Sequence, residues 1–229
     1  KKPNIVESGN CKKAKLLDRG IFFMEELVQE DVGSDFSPYH LTNQERQWVQ
    51  VEKALELNKN GKADFYLDID NLSTVMNNEW KYPLHFIDFE TSQAALPYTK
   101  GRKPYEQVAF QFSHHIVHED GRIAHQSEYI QHKAGVFPNF EFVRILKEAL
   151  SKDNGSVFKF AKHENTILNS IYIQLGDSNE PDREDLRDFI RTITKSVKKS
   201  AEKWEGDRNM IDLCEVVKKY FYHPYMRGS

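Results

Sequence analysis

The sequence predicts an α/β domain with a mixed, five-stranded sheet flanked by helices, set behind a helical lead-in. Three observations carry that prediction. The stretch YPLHFIDFET (82–91) is an apolar run that ends on two carboxylates. Two further strand-like runs follow it, separated by the hairpin signal EDG at 119–121. From residue 139 onward, amphipathic helical runs alternate with short apolar strands.

Residues 1–80 read as a helical connector. CKKAKLLDRG is a helix with a turn at Gly20, and a second short helix runs through IFFMEELVQE. In LTNQERQWVQVEKALELNKNGK, Thr42 is the N-cap and Glu45, three residues on, completes a capping-box pattern. Trp48, Val51, Leu55 and Leu57 form the apolar stripe, and Gly61 ends it.

The pattern changes at residue 81. A strand at 84–90 leads into a loop holding Pro97, Gly101 and Pro104, and EQVAFQFSHHIV forms the second strand. RIAHQSEYI returns after the hairpin, and NFEFVRILKEAL sets Phe142, Leu146 and Leu150 at helical spacing. GSVFKFA is a fourth strand. ENTILNSIYIQL is a helix with Ile167, Leu168, Ile171 and Leu175 on one face. PDREDLRDFIRTITKSVKKSAEKW reads as one long helix, with Leu186, Phe189, Ile190, Ile193 and Val197 inward. Lys195, Lys198, Lys199 and Lys203 would lie on its solvated side. NMID supplies a fifth strand, and LCEVVKKYFY a last helix stopped before Pro224.

Composition sets the outer limits. A chain of 229 residues buries one core and at most a small accessory region. Its 15 Phe and 10 Tyr exclude wholesale disorder. A net charge of −3 excludes a strongly basic protein, so any nucleic-acid contact must rest on a local patch. Cys11 and Cys214 give neither a disulfide framework nor a zinc spacing. No run of 18 apolar residues and no secretory h-region is present. The expectation is a soluble, cytoplasmic chain with no membrane partner. Opening on Lys and stopping at YMRGS, it reads as a piece of a longer protein.

The chemistry starts at Asp88 and Glu90. In a strand they share a face, and two such charges repel unless a cation or a proton relieves them. Either the strand ends in solvent, or a hard cation such as Mg²⁺ belongs between carboxylate oxygens. Burial decides between the two. Glu164 stands at a predicted helix start, where the dipole favours an ionised carboxylate and where an acid is also ordinary helix-start chemistry. His163 beside it fits a hydrogen-bonding cap. Asp212, between a strand and a helix, fits a cap or a metal ligand. Lys100, Arg102 and Lys103 follow the acidic strand, where phosphates could approach. No P-loop, G-x-S-x-G elbow or H-E-x-x-H helix is present.

HFIDFET resembles the first motif of DEDD-type 3′–5′ exonucleases, an Asp-x-Glu on the first strand of a ribonuclease H-like sheet. VFKFAKHENTIL sits where that superfamily places its second motif, and MIDLCEVVKKYFYHP resembles the strand and helix that follow. Together with PYEQVAFQFSHH and RNMIDLCEVVKKYFYHPYMRGS, these stretches are similar to a bacterial domain-of-unknown-function family grouped with the DEDD exonucleases, over roughly residues 78–229. Members of that family often carry an upstream iron–sulfur nuclease domain of the RecB/CRISPR-associated type. KKAKLLDRGIFFMEEL looks like the connector between the two halves, which implies that Cys11 is no cluster ligand.

The resemblance implies a ribonuclease H-like exonuclease domain over 81–229 whose Asp88, Glu90 and Glu164 hold two Mg²⁺ or Mn²⁺ ions. His163 and Asp212 would stand just outside the ligands, with Lys100, Arg102 and Lys103 at the phosphate backbone. The implied substrate is single-stranded DNA or RNA rather than duplex. The chain departs from the pattern at Phe160, where many exonucleases have Asn, and at Glu164, where they have Asp. The fourth acid, expected in a later helix, falls beyond Ser229. The alternative is a catalytically inactive nucleic-acid-binding or partner-docking module of a larger nuclease.

Overall fold

The computed structural model describes residues 12–226, so Cys11 and the expectation attached to it lie outside the described residues. The chain divides into two compact units, Lys1–Asn78 with Cys214–Ser229, and Glu79–Leu213.

The first unit begins with α1 (Lys12–Asp18), a 3-10 turn (Met24–Glu26), α2 (Gln29–Val32), α3 (Asn43–Asn60), β1 (Tyr66–Leu67) and α4 (Ile69–Glu79). The expected second short helix is two pieces, because two carboxylates fold back and start separate turns. Glu26 accepts the Phe23 N–H at 2.9 Å and Asp31 accepts the Val28 N–H at 3.1 Å. The capping box on α3 is present: Thr42 Oγ1 accepts from Glu45 N–H at 3.2 Å, and Glu45 accepts the Thr42 N–H at 2.8 Å. Val51 is fully buried with Leu16 and Leu27, and Trp48 packs against them. Leu55, expected in the same stripe, is exposed.

The second unit holds β2 (Leu84–Ser92), β3 (Val108–Val117), β4 (Ile123–Ile130), α5 (Asn139–Leu150), β5 (Val157–Lys159), α6 (His163–Gly176), α7 (Arg183–Ile193) and β6 (Ile211–Asp212). The mixed five-stranded sheet runs β4-β3-β2-β5-β6. Its first three strands are antiparallel, while β5 runs parallel to β2 and β6 parallel to β5. One face carries Ile87, Phe89, Phe112 and Val157 into a single core with residues of α5, α6 and α7. Alternation along β2 sends Asp88 and Glu90 to the other face, where both are exposed.

That core face also buries two histidines in a chain of hydrogen bonds. His85 Nε2 meets Asp153 Oδ1 at 2.8 Å, and His85 Nδ1 meets His114 Nε2 at 2.9 Å. His114 Nδ1 then meets Ser127 Oγ at 2.9 Å.

The long helix expected at 181–204 stops at Ile193. Side chains of α6 capture the backbone that follows: Asn165 exchanges bonds with the N–H and C=O of Lys195, and Asn169 bonds Lys195 C=O and Val197 N–H. The chain then doubles back, with Gly206 N–H on Thr194 C=O. Any Cβ at Gly206 would sit 2.1 Å from Thr192 O, so only glycine fits there. Val197 is half-buried in this irregular segment, and Lys195, Lys198, Lys199 and Lys203 share no helix face. Tertiary hydrogen bonds outweigh local helix propensity here.

The chain finishes in the first unit with α8 (Leu213–Tyr220) and β7 (Phe221–Tyr222). The last helix is shorter than expected because Phe221 and Tyr222 pair antiparallel with Leu67 and Tyr66. Arg46 donates to the carbonyls of Val217, Lys218 and Phe221, satisfying acceptors that a helix end leaves unpaired. Among the described residues, no helix is long and apolar enough to cross a membrane.

Candidate functional site

The site is built where β2 ends beside the turn from β5 into α6. Asp88 lies opposite Ser113 and Glu90 opposite Gln111, so no carboxylate on β3 faces either acid, and a bulge follows Glu90.

Across the sheet, β5 ends at Lys159 and the chain turns sharply through Phe160 and Ala161. Ala161 has φ 65°, a left-handed conformation that costs a residue with a Cβ about 1–2 kcal/mol. Asp212 on β6 holds the turn in place. Its Oδ1 accepts the Ala161 N–H at 3.0 Å and its Oδ2 accepts from Lys159 Nζ at 2.8 Å. Lys159 Nζ donates at 2.5 Å to Ala161 O as well. The ammonium is thus almost wholly buried inside a ring formed by its own turn and Asp212.

The turn starts α6 with its second residue aimed inward. Glu164 is 3% exposed, and its Oε2 has no hydrogen-bond partner. Burial pushes its carboxyl up to about 7. Its own backbone N–H and Lys159 act in the opposite direction, while the charges of Asp88 and Asp212 push further upward. The fold therefore brings Asp88, Glu164 and Asp212 within electrostatic reach, with Lys159 among them. His163 is exposed, and its Nε2 lies 3.2 Å from Thr91 Oγ1, tying the start of α6 to the end of β2.

The donors have the chemistry a hard cation requires. They are carboxylate oxygens, and Glu164 contributes one that is buried and unspent. Among the described residues, however, no three His, Cys, Asp or Glu side chains are grouped to hold a metal ion. Lys159 supplies positive charge beside Asp212 instead. Asp88 and Glu164 are the pair whose oxygens remain for an ion.

Beyond Glu90, the basic loop behaves unevenly. Lys100 and Lys103 are exposed. Arg102 is gripped by Glu106 and lies 3.7 Å over the Phe137 ring, so its charge is matched within the loop. A cleft of about 640 Å³ opens here, bounded by Thr91, Ser92, Tyr98, Lys103 and Phe137.

A family model described as "Domain of unknown function (DUF2779)" matches residues 85–229, more than half of the chain. The chain belongs to the DUF2779 family. No curated protein and no solved structure matches it. The DUF2779 match begins inside β2 and takes in Asp88, Glu90, Glu164 and Asp212. Lys159 is the residue of this DUF2779 domain that sequence reasoning missed. Its signal was VFKFA, a lysine between phenylalanines in a three-residue strand, where a buried ammonium demands a counter-charge.

Proposed function

We propose that this DUF2779 domain is the ribonuclease H-like part of a metal-dependent nuclease of the DEDD type, hydrolysing phosphodiester bonds of single-stranded DNA or RNA from the 3′ end. One observation carries the reading: a buried Glu164 with an unpartnered oxygen and a carboxyl raised to about 7, within electrostatic reach of Asp88 of an Asp-x-Glu strand end. The sheet supports it too, with three antiparallel strands followed by two parallel ones joined through helices. On the same reading the chain lies downstream of an iron–sulfur nuclease domain, in one cytoplasmic bacterial protein.

Bound Mg²⁺ or Mn²⁺ would supply Lewis acidity and a water acidic enough to attack phosphorus. The chain does the rest. Asp88 and Glu164 offer the oxygens, and Glu90 extends the acidic face by two residues. Asp212 and Lys159 hold the Ala161 turn that keeps Glu164 buried, and His163 braces the start of α6 on Thr91.

A second reading, a nucleic-acid-binding module without catalysis, is favoured because no three His, Cys, Asp or Glu side chains among the described residues are grouped to hold a metal ion. Mn²⁺ calorimetry and cleavage of labelled single strands separate the two. Asp88→Asn is expected to weaken Mn²⁺ binding and slow cleavage by more than roughly 100-fold, since even residues that only orient ligands cost about 10–100-fold. The fold should survive, because Asp88 is exposed. Wild-type cleavage by Asp88→Asn would sink the nuclease reading. Tight single-strand binding with neither Mn²⁺ uptake nor cleavage would install the second.

A further inference from the structure

We infer that the cleft beside β2 seats an unpaired nucleobase two to three nucleotides from the phosphodiester that meets Asp88 and Glu164, so that the domain requires a single-stranded run of about that length. The inference rests on the nuclease reading and deepens it.

The cleft lies between the loops at 93–107 and 131–138, and its volume of about 640 Å³ falls within the usual range of small-ligand sites. Its wall presents Tyr98, 69% exposed, and Val136, 47% exposed. Phe137 lies deeper, with Arg102 stacked on its ring. An exposed tyrosine is a platform for any base, because every base has a π-face.

Charge narrows the occupant further. Arg102, Lys103 and Lys133 line the cleft, against Glu106 as its single carboxylate. Three cations less one anion leave +2 with His132 neutral, on a chain whose net charge is −3. Glu106 is already satisfied by Arg102, so Lys103 and Lys133, both exposed, are the charges left to meet phosphates.

Position ties the cleft to the acids. Thr91 and Ser92, which line it, directly follow Glu90 on the same strand. At about 3.3 Å per residue, Thr91 lies roughly 10 Å beyond Asp88. A stacked strand rising about 3.4 Å per nucleotide covers that in some three steps. Paired bases cannot turn their faces to Tyr98, so duplex is excluded by the same geometry.

The test uses the full chain, a fluorescent single-stranded 12-mer and the same strand made abasic near its 3′ end, with divalent ions removed so that binding is read without cleavage. Removing the bases should weaken wild-type binding roughly 10-fold. Tyr98→Ala should bind the intact strand as weakly as wild type binds the abasic one, and Tyr98→Phe should restore the difference. Lys103→Ala with Lys133→Ala should reduce the salt dependence of binding to either strand. Equal wild-type affinity for intact and abasic strands, or for the matching duplex, would overturn the inference. The two readings fail separately. Base-dependent binding without Mn²⁺-dependent cleavage leaves the cleft and removes the nuclease, whereas cleavage indifferent to Tyr98 and to the bases does the reverse.

Discussion

At pH 8 and without divalent ions, Glu164→Gln should be more stable than the wild-type chain by about 2–3 kcal/mol. The reason is the mismatch between the two ends of folding. An unfolded glutamate titrates near 4.5, whereas the buried Glu164 titrates at about 7. Between those values the unfolded chain releases a proton that the folded one keeps, so stability falls as pH rises from 4.5 through 7. A gap of about 2.5 pH units at 1.36 kcal/mol each gives a cost of about 3 kcal/mol above pH 7. Glutamine carries no charge to desolvate, and its amide leaves a smaller unmet demand at the Oε2 position. The gain should shrink to a few tenths of a kcal/mol at pH 4.5, where the folded carboxyl is protonated and the unfolded one half so. Urea unfolding of both proteins at pH 8 and pH 4.5 checks this, and equal stabilities at pH 8 would show that Glu164 is not held as described. The same substitution should abolish Mn²⁺ binding. An acid retained at such a cost to the folded state is what a ligand site requires.

The second large effect runs in the other direction on the pH scale. Burial, followed by the nearby charges of His85, His115 and His125, pushes the His114 imidazole down to about 4, with Asp153 alone opposing. His85 is also lowered, chiefly by burial and further by Arg208, although Asp153 pulls it back. With both rings neutral, the hydrogen bonds take one direction. Ser127 donates to His114, His114 to His85, and His85 to Asp153. A proton on His114 leaves Nδ1 with a hydrogen to offer and breaks that order. The unfolded histidine takes up its proton near 6.5 and the folded one only near 4, so stability is full above 6.5 and drains away as pH falls toward 4. About 3 kcal/mol is lost across that window. The lowered carboxyls of Asp31, Asp153 and Asp182 withdraw their contributions only at still lower pH, whereas Glu164 acts in the same range with the opposite sign, gaining as pH falls about what His114 loses. The loss is therefore read in the Glu164→Gln protein, whose unfolding free energy should fall by about 3 kcal/mol from pH 7 to 4, and adding His114→Gln should flatten it. A Glu164→Gln profile already flat between 6.5 and 4.5 would refute the account.

Much of the fold was legible because it is written in short-range periodicity. The Thr42–Glu45 box, the apolar faces of α5 and α6, and the EDG hairpin each need fewer than twenty residues of context. The features that were hidden depend on partners far away in the chain. Asn165 and Asn169 end α7 from thirty positions upstream, and β7 exists because Tyr66 waits for Tyr222. At the site, Asp88 and Glu90 announced themselves by spacing. The burial of Glu164 did not, because it follows from an alanine forced into a left-handed turn by Asp212 and Lys159. The cleft could not be foreseen either, since two loops separated by β3 and β4 make its walls.

The division of the chain also dictates an order of events on the ribosome. The α/β unit is one uninterrupted run, so all of its strands have been translated once Leu213 has been added. The unit translated first must wait longer, because β1 has no partner until Phe221 and Tyr222 emerge, and Arg46 has no carbonyls to cap until Val217 does. Domains usually close in the order they are synthesised. Of the two units described, the one that starts first is the last to be finished, because β1 stays without its partner strand until Phe221 and Tyr222 are made. A nascent chain stalled short of Tyr222 would present that unfinished unit to chaperones and proteases when all five strands of the larger sheet have already been made.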